Sequence, residues 1–84
     1  MSWYVYMLRC SDGSLYTGCT DDKERRFSCH NSGKGAKYTR SRLPVTLVYQ
    51  EECADKAAAL RREYAIKQLK KPQKEVIIEK KEQK

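Results

Sequence analysis

Trp3-Tyr4-Val5-Tyr6-Met7-Leu8-Arg9 and Leu15-Tyr16-Thr17-Gly18-Cys19-Thr20 flank Cys10-Ser11-Asp12-Gly13-Ser14, and how these segments pair decides the fold. The first run is aromatic and β-branched, which suits a strand. Residues 15–20 form its partner, and Asp12-Gly13 is a hairpin signal. A two-residue Asp12-Gly13 loop would pair Leu8 with Thr17 and send Tyr6 and Tyr16 to opposite faces. A three-residue loop, Ser11-Asp12-Gly13 with Gly13 left-handed, pairs Leu8 with Tyr16. Tyr6 and Tyr16 then share a face, because strand side chains alternate with period two. Glycine tolerates the left-handed position of such a bulged turn, so the three-residue form is expected.

Downstream, Asp21 reads as a helix N-cap, with Glu24 completing a capping box. The helix carries Arg25, Arg26, Phe27 and His30, and Asn31-Ser32-Gly33 ends it. Arg26 and His30 are four residues apart and share a face; Phe27 is the core anchor. Residues 32–44 are polar, basic and glycine-containing, and read as a loop closed by Pro44. Val45, Leu47 and Tyr49 alternate with Thr46, Val48 and Gln50 as a third strand. Asp55 caps a second helix, Lys56 to Leu69, of high helix propensity. There Glu63 neighbours Ala59, Leu60 and Ile66, with Lys67 four residues on. Pro72 suits the first turn of a last helix bearing Val76, Ile77 and Ile78. Residues 79–84 read as a frayed charged tail. The expected architecture is α+β (α/β in the broad sense): a small three-stranded, mainly antiparallel sheet flanked by three helices, in a single domain over residues 1–78.

Length and charge bound the function. The 84 residues suffice for one small domain with a thin core. The formal charge of +7 is segregated: from Arg25 to Gln50 there is no acidic residue. A one-sign patch concentrates polyanions, and neutralising phosphates releases counterions. Lys34, Lys37, Tyr38, Arg40 and Arg42 are therefore candidate nucleic-acid contacts; a merely solvated basic surface is the other reading. No run is long or apolar enough to span a bilayer, and no basic-then-apolar leader opens the chain, so a cytoplasmic protein is expected. The four cysteines form no C-x-x-C. They read as small buried thiols, with a zinc site built from Cys29, His30 and distant cysteines the alternative.

Together these residues resemble the GIY-YIG nuclease superfamily, and more closely its small stand-alone bacterial members. Tyr4-Val5-Tyr6 and Tyr16-Thr17-Gly18 stand where its two triplets fall. Thr20 to Phe27 looks like the segment presenting its arginine. His30-Asn31-Ser32-Gly33-Lys34-Gly35-Ala36-Lys37-Tyr38-Thr39-Arg40 looks like the loop of the stand-alone members, and Leu60-Arg61-Arg62-Glu63 like the segment with the metal-binding glutamate. The resemblance covers about residues 3–78. It implies Tyr6 as base, Tyr16 and His30 assisting, Arg26 on phosphate and Glu63 on a metal. The chain departs from the pattern at Tyr4, where glycine is usual, at Thr17, and in having no asparagine after Asn31.

The residues alone argue similar chemistry. Phosphodiester hydrolysis needs an activated water, charge stabilisation on phosphate and help for the leaving oxygen. Glu63 is a hard oxygen ligand suited to Mg2+ or Mn2+, with water and phosphate completing the shell. Arg26 can hold the scissile phosphate through two donors. A phenol with a pKa of about 10 is a poor base at neutral pH, so Tyr6 needs a nearby cation or a hydrogen-bonded base; His30, Arg26 and Lys67 qualify. Each residue also has an ordinary reading: the tyrosines as strand aromatics, Arg26 as surface charge, His30 at a helix dipole, Glu63 paired with Lys67. Three functions follow. The first is a metal-dependent endonuclease acting on DNA with little sequence preference. The second is a non-catalytic nucleic-acid-binding module. The third is an interaction domain whose protein partner supplies specificity. The chain is expected to act as a monomer or weak homodimer.

Overall fold

A computed structural model describes residues 2–33 and 35–82, with backbone only at Lys81 and Glu82. The elements are β1 (Trp3–Arg9), β2 (Leu15–Thr20), α1 (Lys23–Asn31), α2 (Lys37–Arg40), β3 (Thr46–Cys53), α3 (Lys56–Lys67) and α4 (Lys71–Glu82). The strand order is β2-β1-β3, with β1 central and antiparallel to both neighbours.

The hairpin takes the three-residue loop. Leu8 pairs with Tyr16, and Tyr6 faces Gly18. Cys10 N donates to Ser14 O, closing the loop, and Gly13 sits at φ +85°. Asp12 braces the turn by accepting from Ser14 N at 3.0 Å.

Because β1 is central, its alternation supplies two cores. Val5 and Met7 point to one face and pack with Tyr49, Ala59, Ile66 and Ile78 beneath α3 and α4. Tyr6 and Leu8 point to the other and pack with Cys10 and Val45; Tyr16, Phe27 and Leu43 lie against that cluster. On β3, Val45, Leu47 and Tyr49 do not share a face as strict alternation expects. Met7 pairs with Tyr49 and Leu8 with Leu47, so Val48 is an extra residue that bulges β3. The bulge returns Val45 to the Tyr6 side while Tyr49 stays on the Met7 side.

Three local expectations change. The α1 cap is Asp22, not Asp21: the Asp22 carboxylate accepts from Arg25 N at 3.1 Å, and Asp22 N donates to Thr20 Oγ1 at 3.0 Å. The segment 32–44 contains a fourth helix, the four-residue α2, whose cap Ala36 has no side-chain bond. A turn this short is stable only through tertiary contacts; Thr39, fully buried, supplies one. Finally, α4 continues through Glu82, beyond the expected fraying point. Lys70 N donates to Gln73 Oε1 at its start, and Arg9 forms a two-pronged pair with Glu75 (2.8 and 2.6 Å) that ties α4 to β1. Gln83 and Lys84 of the expected tail lie outside the described residues.

Candidate active site

The Tyr6 side of the sheet carries the polar chemistry. Tyr6 is held edge-on to Phe27, with ring centroids 5.4 Å apart, which docks α1 on β1. One turn along α1, His30 is fully buried. Tyr6 Oη and His30 Nε2 are 3.1 Å apart, and His30 Nδ1 lies 2.9 Å from Thr39 Oγ1. Tyr16 packs its ring 5.3 Å from the imidazole and stacks on Tyr38 at 6.0 Å.

Two glycines permit this packing. A Cβ at Gly18 would lie 2.7 Å from Tyr6 Oη and 3.2 Å from the Tyr16 ring, so the two phenols converge over bare backbone. A Cβ at Gly35 would lie 2.4 Å from His30 Nδ1 and 2.8 Å from His30 Cα. The loop backbone thus covers the imidazole directly.

The electrostatics follow from burial and from Arg26. Burial pushes the Tyr6 phenol well above its ordinary range; the Tyr16 hydroxyl adds to this and the Arg26 cation opposes it. Burial, then Arg26, lowers His30 below the ordinary imidazole value, so it is neutral at pH 7. Arg26 itself is exposed and lines a cavity of about 330 Å³ with Thr20, Asp21, Asp22, Arg25 and Cys29.

Glu63 comes from the other side of the sheet. Cys19 pairs with Val5 and faces α3, where its thiol neighbours the Glu63 carboxylate. Lys67 Nζ donates to Glu63 Oε2 at 2.6 Å. Burial alone would raise Glu63, but the thiol and the ammonium outweigh it and hold the carboxyl below its usual range. Burial and the neighbouring Glu63 carboxylate push the Cys19 thiol up to about 11. The five expected residues therefore do not line one face. Tyr6, Tyr16, Arg26 and His30 sit on the α1 side and Glu63 on the α3 side, with the edge strand β2 between them. The fields still overlap there: Glu63 raises Tyr6, and Arg26 acts on the Cys19 thiol.

Among the expected nucleic-acid contacts, Lys37, Tyr38 and Arg40 are exposed on α2, and Lys34 lies outside the described residues. Arg42 is already engaged. Its Nε donates to Asp12 at 3.0 Å, its Nη1 donates to Tyr38 O at 3.0 Å, and its guanidinium stacks 3.9 Å from the Tyr38 ring centre. Its backbone carbonyl accepts from Ser11 N. Arg42 fastens the turn of the hairpin to the basic loop. Asn31 is likewise structural, its Oδ1 accepting from Val45 N at 3.1 Å. Thr39 is the residue the sequence reading missed, and the only cue was its place among polar residues after His30. Among the described residues all four cysteines are free thiols, only Cys10 fully buried, and no group of three or more His, Cys, Asp or Glu is placed to hold a metal. No helix among them is long and apolar enough to cross a membrane.

A small α+β sheet domain with paired tyrosines, an imidazole and a guanidinium at its β2 edge has the build of a nuclease-type domain. The chain belongs to the GIY-YIG family: the GIY-YIG catalytic domain matches residues 2–76. Its relatives include a UPF0213 protein of Desulfotalea psychrophila, 54% identical over 78 residues that cover 92% of this chain and 71% of that one. Another, from Halobacterium salinarum, is 55% identical over 75 residues covering 89% and 97%. Two solution NMR structures share the fold. A UPF0213 protein from Bacillus halodurans aligns with TM-score 0.61 and 49% identity over 94% of this chain and 84% of that one. A protein from E. faecalis aligns with TM-score 0.68 and 41% identity over 100% and 90%.

Proposed function

We propose that this protein is a metal-dependent endonuclease that hydrolyses phosphodiester bonds in DNA with little intrinsic sequence preference. The observation that carries the reading is the Tyr6–His30 hydrogen bond beside Arg26. A buried phenol cannot act as a base alone. It can relay: as Tyr6 Oη takes the proton of the attacking water, its own proton passes to His30 Nε2. The water oxygen bonds to phosphorus, the bond to the leaving oxygen breaks, and solvent water protonates the leaving alkoxide. Tyr16 orients the phosphate, and Arg26, exposed at the cavity, clamps it through paired donors. Lys34, Lys37, Tyr38 and Arg40 guide the flanking backbone, which carries no sequence information. The free thiols support a cytoplasmic setting.

The Glu63 carboxylate fits Mg2+ or Mn2+ as a single protein ligand, because it is ionised and Mg2+ accepts one carboxylate plus water and phosphate. It does not fit a protein-caged ion. A bound Mg2+ would neutralise charge developing on the phosphate. The test is metal-replete cleavage of duplex, branched and single-stranded DNA. Wild type is expected to cleave at least one form, and Arg26→Ala and Glu63→Ala to lose on the order of 100-fold in rate. A wild type no better than either variant overturns the reading.

One observation favours a second reading. Lys67 occupies the Glu63 oxygen that a cation would take, as in a non-catalytic nucleic-acid-binding module. That module would bind DNA in a salt-dependent way with Glu63→Ala unaffected. A protein partner supplying specificity is compatible with either reading.

A further inference from the structure

We propose that Thr39 is a positioning residue that holds His30 as its Nδ1–H tautomer, leaving the Nε2 lone pair aimed at the Tyr6 hydroxyl. The role rests on the endonuclease reading for its use in catalysis, but the tautomer itself is a property of the free protein. A proton count at Thr39 leads to it, and the Tyr6 end gives it a use. At one end, Thr39 Oγ1 lies 2.9 Å from the Ala36 carbonyl, and a carbonyl can only accept. A threonine hydroxyl has one proton, so with that proton on Ala36, Oγ1 accepts from His30 Nδ1–H at 2.9 Å.

At the other end, the Tyr6 side chain is 2% exposed and its hydroxyl bonds His30 Nε2. If Nε2 carried the proton, it would donate to Tyr6 and could not take the phenolic proton. The Thr39 end therefore selects the Nδ1–H tautomer of a neutral imidazole, the form whose Nε2 can accept from Tyr6. Gly35 closes the geometry, since its backbone lies so near Nδ1 that no side chain can enter. The short α2 gains a purpose here: Ala36 opens it and Thr39 ends its first turn, so donor and acceptor are set by one helical turn.

During the relay the phenolic proton moves to Nε2 and the ring becomes an imidazolium. Its Nδ1–H stays bonded to Thr39, whose proton stays on Ala36. Without the Thr39 oxygen, the ring is free to take the Nε2–H form, which cannot accept from Tyr6.

The chain has a single histidine, so the imidazole can be read without overlap. In 15N-histidine-labelled protein at neutral pH, Nδ1 should show the pyrrole-type shift and Nε2 the pyridine-type shift. Thr39→Val keeps the shape and removes the oxygen; it should move the ring toward Nε2–H, whereas Thr39→Ser should retain Nδ1–H. In cleavage assays, Thr39→Val should lower kcat on the order of 10-fold or more with KM unchanged, and Thr39→Ser should restore it. A wild-type ring protonated on Nε2, or a folded Thr39→Val variant with the wild-type tautomer, overturns the proposal. If Thr39→Val does not fold, the wild-type and Thr39→Ser spectra decide. Absence of cleavage by wild type would overturn the endonuclease reading while the spectra still judge Thr39.

Discussion

The two faces of the central strand β1 are spent differently. On one, Val5 and Met7 meet Tyr49, Ala59, Ile66 and Ile78, an almost wholly apolar core. On the other, Tyr6 and Leu8 share their layer with His30 and Thr39, two fully buried polar residues bonded to each other. The apolar face gains stability from area removed from water. The polar face gains less from that source and depends on every donor finding its acceptor. In so small a domain, one core is held by apolar area and the other by a hydrogen-bonded chain from Tyr6 through His30 to Thr39.

The sharpest break of this contrast is Ile66→Ala. Ile66 is fully buried in the apolar core, and the change should cost about 2–5 kcal/mol. Urea denaturation should show a midpoint far below wild type, with the His30 tautomer unchanged in protein that remains folded. An equal loss from truncating Leu8 would blur the two-core picture.

Next comes Gly35→Ala. Its Cβ would strike the His30 backbone and ring, so about 1–3 kcal/mol of stability should be lost. The His30 nitrogen shifts should move as well, which Ile66→Ala would not cause. A Gly35→Ala variant with wild-type shifts would show that the loop does not hold the imidazole.

Third is pH. His30 titrates below its ordinary value in the folded state because it is buried. Above about pH 6.5 it is neutral in both states and its contribution is fully present. As pH falls below that, the unfolded chain binds the proton first, so stability falls with pH until the folded value is passed. Thermal melts between pH 7 and pH 5 should show this slope, and His30→Gln should flatten it. A persistent slope in His30→Gln would assign it elsewhere. Depressed Glu63 and Glu75 lose their contributions only below about pH 4.5.

The smallest effect sharpens the contrast. Thr17 is the polar intruder on the apolar side: 3% exposed, paired with Met7, its Oγ1 without a hydrogen-bond partner among the described residues. Thr17→Val removes an unsatisfied hydroxyl at constant shape and should stabilise by about 1 kcal/mol. A destabilised variant would mean the hydroxyl serves a function.

How much of this was legible depends on range. The hairpin register was readable because a left-handed glycine and period-two alternation are local facts, and Tyr16 opposite Leu8 follows from them. The Asp55 cap was readable for the same reason, its carboxylate accepting from Ala58 N. The α1 cap slipped by one residue because Asp21 and Asp22 are equally good caps, and only Thr20 selects between them. The α2 turn left no periodic trace, since what stabilises it is the bond from Thr39 to an imidazole nine residues away. Arg42 looked like one more loose cation; its partner Asp12 is thirty residues distant and invisible to any window. At the candidate site, residue types and order were legible. The division of those residues between two sides of an edge strand was not, because that depends on where α3 crosses the sheet.

The extra residue at Val48 has a consequence beyond the repacking of β3. This strand is the outer rim of the sheet, where unpaired backbone groups invite another chain to dock in register. A rim broken partway by a kink, with Glu51 and Glu52 beyond it and Pro44 just before it, offers no long straight ladder to copy. The irregularity that lets one strand serve two cores thus also guards a concentrated solution of this protein against sticking edge to edge.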